Sequence, residues 1–362
     1  MALPEDYFGK RLQHLRQELA QRNLQGLLVT NPVNIRYLTG FTGSSGIAFV
    51  SEKQTVFVTD FRYLEQANHE VRNFSVFIGT PTLFDTLKEK LIDSRGKIGF
   101  EARHLSFSLY STLVDIFPQA TFVPTENLIE QIAIRKNESE ISILKQAAKI
   151  ATDALENVLP HLKTGQKEFE FAAELSYRMR LLGSERDAFE PIVASGWRSA
   201  LPHGIASDKV IDDGDFVVID FGAVYRGYAS DITRTVAMGK ASQNMKRIYQ
   251  IVKNAQQKAI EAARAGISCH ALDQVAREYI HQKGFGQYFD HSLGHGLGLD
   301  VHSLPRVGAG SEIILEENFV ITIEPGIYIP NVGGVRIEDD IVIQKDGCEL
   351  LTHFPRELLQ IE

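Results

Sequence analysis

Four acidic residues stand where apolar β-hairpins should carry none, and they constrain the fold more than any other feature of the chain. Asp220 sits inside Phe216-Val217-Val218-Ile219-Asp220-Phe221, a run apolar enough to be covered on both faces. Asp231 follows after one turn. The midpoint of the pair, 225.5, falls inside the turn Tyr225-Arg226-Gly227, so a regular antiparallel hairpin centred there sets the two carboxylates directly opposite each other. Cross-strand partners lie ~5 Å apart at Cβ, and like charges so placed repel. Glu324 and Glu338 repeat the arrangement about Asn331, although Pro325-Gly326 offers a bulge that would slip this register by one residue. Such carboxylates cannot stay charged in a dry site without cations, and two divalent ions would balance them. A single acid of this kind is usually a paired core or surface residue; two symmetric pairs weigh against that reading.

The chain around the hairpins has 362 residues, 44% hydrophobic and 23% charged, which is enough for two domains and too apolar for disorder. A net charge of −8 disfavours nucleic acid and anionic membrane as partners. No stretch reaches the ~18 apolar residues of a membrane span, and Met1–Phe8 lacks the pattern of a secretory leader. Cys269 and Cys348 are too few for a disulfide framework and read as small buried hydrophobes. The expectation is a soluble, cytoplasmic, two-domain protein.

In the first third, apolar runs at Gly26–Thr30, Ile47–Val50, Val56–Asp60 and Lys97–Glu101 predict strands, separated by helical patterns over Tyr7–Gln25 and around Leu83, Leu87 and Leu91. That is an α/β domain, with its boundary placed near Ala133. From there Ile141, Leu144, Ala148, Ala151, Leu155 and Val158 form one stripe of a helix over Glu138–Leu159. Strands are expected at Asp215–Gly222, Tyr228–Met238, Asn318–Ile329 and Gly334–Gln344. Residues 134–362 therefore read as an α+β domain whose halves each run from helices into an acid-bearing hairpin, a pseudo-twofold repeat.

Histidines add chemistry that carboxylates lack. His295 lies in Gly294-His295-Gly296-Leu297-Gly298, where glycines would let the backbone approach a ligand. His291 and His295 have the spacing of a helical zinc-peptidase motif, but Ser292 replaces its glutamate and the glycines oppose a helix. His203 and His302 lie in loop-like contexts, where a histidine is usually just solvated. Arg336, two residues before Glu338 on one strand, shares its face and could neutralise an acid or bind a substrate carboxylate.

Asp220-Phe-Gly-Ala-Val-Tyr-Arg-Gly-Tyr-Ala-Ser-Asp231-Ile-Thr-Arg-Thr, His291-Ser-Leu-Gly-His295-Gly-Leu-Gly, Thr322-Ile-Glu324-Pro-Gly-Ile-Tyr and Gly334-Val-Arg-Ile-Glu338-Asp jointly resemble the pita-bread metallopeptidases. The resemblance is to their aminopeptidase P and prolidase branch and covers nearly the whole chain. Leu351-Thr-His-Phe-Pro-Arg-Glu-Leu resembles the closing segment of that family. The front third, 1–133, resembles its creatinase-type N-terminal domain, most clearly in Tyr37-Leu-Thr-Gly-Phe-Thr-Gly-Ser-Ser-Gly46.

The resemblance implies a pita-bread catalytic domain holding two divalent ions, usually Mn2+ and in related members Co2+ or Zn2+. Asp231 and Glu338 would bridge both ions, Asp220 would complete one shell, and His295 with Glu324 the other. Hydroxide generated there would attack the carbonyl before proline, with Glu324 as proton shuttle. His302 would stabilise the tetrahedral intermediate, while His203 and Arg336 would position the proline side of the peptide. A homodimer is also implied. The loop Gly40-Phe-Thr-Gly-Ser-Ser-Gly46 favours an Xaa-Pro aminopeptidase over an Xaa-Pro dipeptidase (prolidase). A non-catalytic binding protein of the same fold is disfavoured, because all five ligand positions are filled. Trp197 and Arg198 depart from the family pattern, which usually has a small residue or Pro and then Asn.

Overall fold

The computed structural model describes residues 7–91 and 95–362, so most of the Met1–Phe8 stretch lies outside the described residues. The chain divides into two compact units, Met1–Ala133 and Ile134–Glu362. The first unit is built on a six-stranded sheet of β1 (Gly26–Val29), β2 (Ile47–Ser51), β3 (Thr55–Thr59), β4 (Ser75–Ile78), β5 (Gly96–Glu101) and β6 (Ala120–Thr125), in the order β4-β3-β2-β1-β5-β6. The four strands read from the sequence are its centre. The two it misses, β4 and β6, are the edges, where exposed and half-buried residues dilute the apolar signal. The first helix ends at Gln21, short of the expected Gln25, because Asn23 turns left-handed with φ 55°.

The second unit repeats one plan twice. Helices Glu138–Val158 and Glu168–Leu181 precede β7 (Ile192–Ser195), β8 (Phe216–Phe221), β9 (Val224–Tyr225), β10 (Tyr228–Ala229) and β11 (Ile232–Met238). Helices Gln243–Ala262 and Cys269–Gln282 then precede β12 (Gly294–Gly296), β13 (Ser303–Val307), β14 (Val320–Ile323), β15 (Gly326–Ile329), β16 (Gly333–Arg336), β17 (Asp339–Gln344) and β18 (Gly347–Leu350). Within the sheets the neighbours run β7-β8-β11 in one half and β12-β14-β17 in the other. The acid-bearing strands thus hold corresponding places, which is the pseudo-twofold repeat expected of a pita-bread domain.

Each half buries one apolar face of its helix pair against its own sheet. In the first, Ala151, Leu155 and Val158 meet Phe171, Leu175, Val217 and Ile219; in the second, Ile248, Val252 and Leu272 meet Ile321, Ile323 and Ile341. Burying a side chain such as Leu155 contributes roughly 1.5–3 kcal/mol. The helix Glu138–Val158 starts where the Asn137 side chain accepts from Glu140 N (3.0 Å) and Glu140 accepts from Asn137 N (2.8 Å). Glu140 also accepts from the Tyr228 hydroxyl at 2.8 Å, so the same cap that starts the helix anchors the first hairpin.

Candidate active site

The two hairpins present their acids differently. In the first, Tyr225 pairs with Tyr228 across Arg226 and Gly227, both with positive φ (50° and 85°). This two-residue turn matches the twist of the flanking strands. Its centre lies one residue later than expected, so Asp220 pairs with Thr233 and not with Asp231. The expected direct opposition is therefore corrected to a diagonal. Asp231, two residues before Thr233, keeps to the same face because side chains alternate with period two. In the second hairpin, Ile323 pairs with Asp339 and Gly326 with Arg336, so equal lengths of chain separate the two paired stretches. Pro325-Gly326 causes no slip, and Glu324 faces Glu338.

The hairpins are stitched to each other at the acids. Thr233 O accepts from Glu338 N (3.1 Å), and the Thr233 hydroxyl donates to Glu338 Oε2 (2.6 Å). Asp340 Oδ2 accepts from Asp231 N at 3.0 Å. Carboxylate oxygens of Asp231 and Glu338 and a ring nitrogen of His295 come within 4.8 Å of one another. His295 Nε2 is 3.3 Å from Glu324 Oε1 and 3.6 Å from Asp231 Oδ2, while its Nδ1 lies 3.2 Å from Gly296 O. A proton held at Nδ1 by that carbonyl leaves the Nε2 lone pair facing the acids, the tautomer a ligand needs. The glycines around His295 serve strand packing rather than ligand approach: a Cβ at Gly294 would collide with Thr322 O, and one at Gly296 with Leu304 O.

The electrostatics of this cluster suit a cation. Asp220 Oδ1, Asp231 Oδ1 and Glu338 Oε1 are buried and have no hydrogen-bond partner. Burial first, and then the neighbouring acids, push the Asp231 and Glu338 carboxyls well above the usual range. Burial pushes Glu324 up to about 8. Arg336 is the cation that meets the acids; its guanidinium pairs with Asp220 and also donates to the Tyr328 hydroxyl (2.8 Å), Thr233 Oγ1 (3.1 Å) and Pro202 O (3.2 Å). One guanidinium cannot neutralise four buried carboxylates. Orphaned hard oxygens beside one imidazole are a donor set that fits divalent cations.

A cavity of about 490 Å3 opens over the cluster, and His203, His302, Glu324, Arg336 and the acids all line it. The His302 and His295 rings are in contact, with centroids 4.4 Å apart and their planes tilted by 56°. His291 also reaches the cavity, but from a segment leading into β12 and not from a helix; its Nε2 lies 3.0 Å from the Tyr328 hydroxyl, away from the acids. Sequence reasoning missed four contributors: Tyr328, the buried Asp340 behind Asp231, His291 as a cavity residue, and Arg306. The last lies on β13, four residues after His302 and exposed at the cavity, and its side chain donates to Ser292 Oγ at 2.6 Å. Among the described residues Arg306 pairs with no carboxylate, and the register shift of β13 between Ser303 and Arg306 hides it from any reading by alternation.

Residues 142–345 match metallopeptidase family M24, and residues 11–133 match the Creatinase/Prolidase N-terminal domain. The chain belongs to metallopeptidase family M24. Among relatives, the Xaa-Pro dipeptidase of Pyrococcus horikoshii is 40% identical over 98% of this chain and 100% of its own. Among solved structures, an Xaa-Pro dipeptidase from Bacillus anthracis is similar at 42% identity and TM-score 0.95, covering 98% of this chain and 100% of that one. An X-Pro aminopeptidase from Thermotoga maritima is similar at 40% identity and TM-score 0.90, covering 97% and 99%. This M24 chain is a metallo-exopeptidase with a creatinase-type N-terminal domain and a pita-bread catalytic domain, and divalent metal ions belong to its family's chemistry.

Proposed function

We propose that the protein is an Xaa-Pro dipeptidase that takes two divalent ions, manganese by its donor set, between Asp220, Asp231, His295, Glu324 and Glu338. This reading replaces the aminopeptidase preference drawn from Gly40–Gly46. It rests on the relatives named dipeptidase and on one observation within the cavity: of its two arginines, Arg336 is committed to Asp220 while Arg306 has no carboxylate partner. A dipeptide places a free carboxylate on the proline itself, where Arg306 can pair with it; a longer peptide has a neutral amide at that position and carries its carboxylate further along.

Bound divalent ions supply a water acidified enough to act as hydroxide near neutral pH. The chain's residues do the rest. Glu324, which lines the cavity beside His295 Nε2 at 3.3 Å, holds and returns the proton. His302 lies at the cavity against the His295 ring, where it can donate to the scissile carbonyl oxygen as charge develops. His203 and Arg306 orient the proline end. Arg336 holds Asp220 aligned through its buried pair. A cytoplasmic homodimer is the setting that the family resemblance implies.

The test compares kcat/KM for an Xaa-Pro dipeptide and the Xaa-Pro-Xaa tripeptide with manganese present. Arg306 is exposed at the cavity, where a pair with a carboxylate contributes about 1 kcal/mol, so the dipeptide should win by roughly fivefold. Arg306→Met should erase that preference. Equal cleavage of both peptides by the wild type would restore the aminopeptidase reading.

A further inference from the structure

The segment carrying His203 rests on β16, where Gly334 N donates to Ser199 Oγ at 2.8 Å, and is tied at both ends by one buried acid. Glu168, the first residue of its helix, is fully buried. Its Oε1 accepts from Ser195 N (2.7 Å) and Ser195 Oγ (2.9 Å), at the start of the segment. Its Oε2 accepts from Ser207 N (3.1 Å) and Ser207 Oγ (2.8 Å), at the end. Arg198, midway, pairs with the same Oε2 and spans the loop by donating to Ile205 O at 2.9 Å. A single carboxylate thus closes the 195–207 loop at both ends and in the middle. What the closed loop presents to the cavity is His203, Ile205 and Pro202, whose carbonyl accepts from Arg336.

The other half of the repeat uses the same device. Asp273, fully buried in the helix Cys269–Gln282, pairs with Arg277 (2.7 and 2.8 Å) and accepts from Leu293 N at 3.0 Å. Arg277 donates to Phe289 O (2.8 Å) and His291 O (2.7 Å), and so holds the segment that delivers His291 and His295. Buried acid–arginine pairs add little net stability, because desolvation offsets their attraction; their best-attested use is to fix one arrangement over others. Here both pairs grip loops that face the cavity, and neither touches it.

We propose that Glu168, acting through Arg198, Ser195 and Ser207, is a positioning residue for substrate: it sets where His203 and the Pro202 carbonyl stand. The departure at Trp197-Arg198 then has a reason, since Arg198 is half of the clamp. Only the KM part of this inference rests on the Xaa-Pro reading.

Trp197, the chain's single tryptophan, lies beside Arg198 and is 54% exposed, so its fluorescence reports the loop without any substrate. In Glu168→Gln, metal-loaded and of full length, acrylamide quenching of Trp197 should rise toward that of the urea-unfolded chain and its anisotropy should fall. KM for Xaa-Pro should rise about tenfold, as expected for loss of a charge-assisted bond, with kcat held within about threefold and metal content unchanged. Arg198→Met should do the same, and Arg198→Lys should partly restore both signals. If Glu168→Gln does not fold, Arg198→Met decides alone. Unchanged Trp197 signals and KM in the folded variants would overturn the proposal, as would a fall in kcat and metal content with KM intact. Should the wild type cleave no Xaa-Pro peptide, the Trp197 signals still decide whether the clamp holds the loop.

Discussion

Asp339 is a buried charge on which side chains from both halves of the catalytic domain converge, and replacing it with asparagine tests whether they bind the two hairpins together. The carboxylate is fully buried. Its Oδ1 accepts from Arg234 (2.8 Å) and Thr352 (2.7 Å), and its Oδ2 from Gln256 (2.7 Å) and Arg356 (2.7 Å). Burial alone would raise its pKa, yet Arg234 and Arg356 more than offset that and hold it below the usual value. The amide in Asp339→Asn would keep the shape but aim a donor at other donors, and would leave Arg234, itself only 2% exposed, beside no compensating charge. Breaking a buried pair in this way costs about 3–5 kcal/mol. At roughly 2–4 °C per kcal/mol for a unit of this size, Asp339→Asn should lower Tm by roughly 6–20 °C. Because Arg234 also donates to Glu338 O at 2.6 Å, divalent-ion affinity should fall with it. Thermal melts followed by circular dichroism, with and without manganese, measure both. A Tm within about 2 °C of wild type would refute the reasoning, since no buried ion pair breaks so cheaply.

Other perturbations probe the site itself. Chelation should abolish activity and manganese or cobalt restore it; manganese at a hundred times its Kd should add about 2.7 kcal/mol to stability, and Asp231→Asn should lose both effects. Activity surviving full removal of metal would sink the metal assignment. His302→Ala should keep its metal yet lose ~10²–10³ in kcat, because it removes a transition-state donor and no ligand; weaker metal binding at unchanged kcat would reverse the roles. Burial pushes His291 down to about 4, so the folded protein resists a proton that the unfolded chain takes up near 6.5. Its contribution is therefore whole above pH 6.5 and is lost as pH falls toward 4, by about 3 kcal/mol. Urea midpoints of metal-free wild type and His291→Gln across that window should show a shallower acid slope in the variant, and parallel slopes would remove His291 from the account.

Much of the fold was legible because burial leaves a pattern in one stretch of chain. The stripe from Leu144 to Val158 is buried as its spacing requires, and the central strands of the first unit are the continuous apolar runs. The acids at Asp220 and Glu338 stood out because charge inside such runs needs a partner that the local sequence does not provide. Illegible were the edge strands β4 and β6, half-exposed and so without contrast. Arg306 was equally silent, because its value lies in the absence of a carboxylate that only the cavity reveals.

By itself, then, the sequence determined which side chains had to converge: acids flanked by apolar residues can be buried only in company, and the hairpins that carry them follow from alternation and turns. Tertiary structure decided how they meet. The first hairpin's register turned on Arg226 adopting positive φ, which local sequence does not favour, and that moved Asp220 from Asp231 to Thr233. The pairing of Arg336 with Asp220, the Nδ1 contact that frees His295 Nε2, and the grip of Glu168 on residues 195 to 207 all depend on groups that only the folded chain brings together. Such contacts have no period to read. They exist because a buried polar group must find its partner wherever packing brings one within hydrogen-bonding distance.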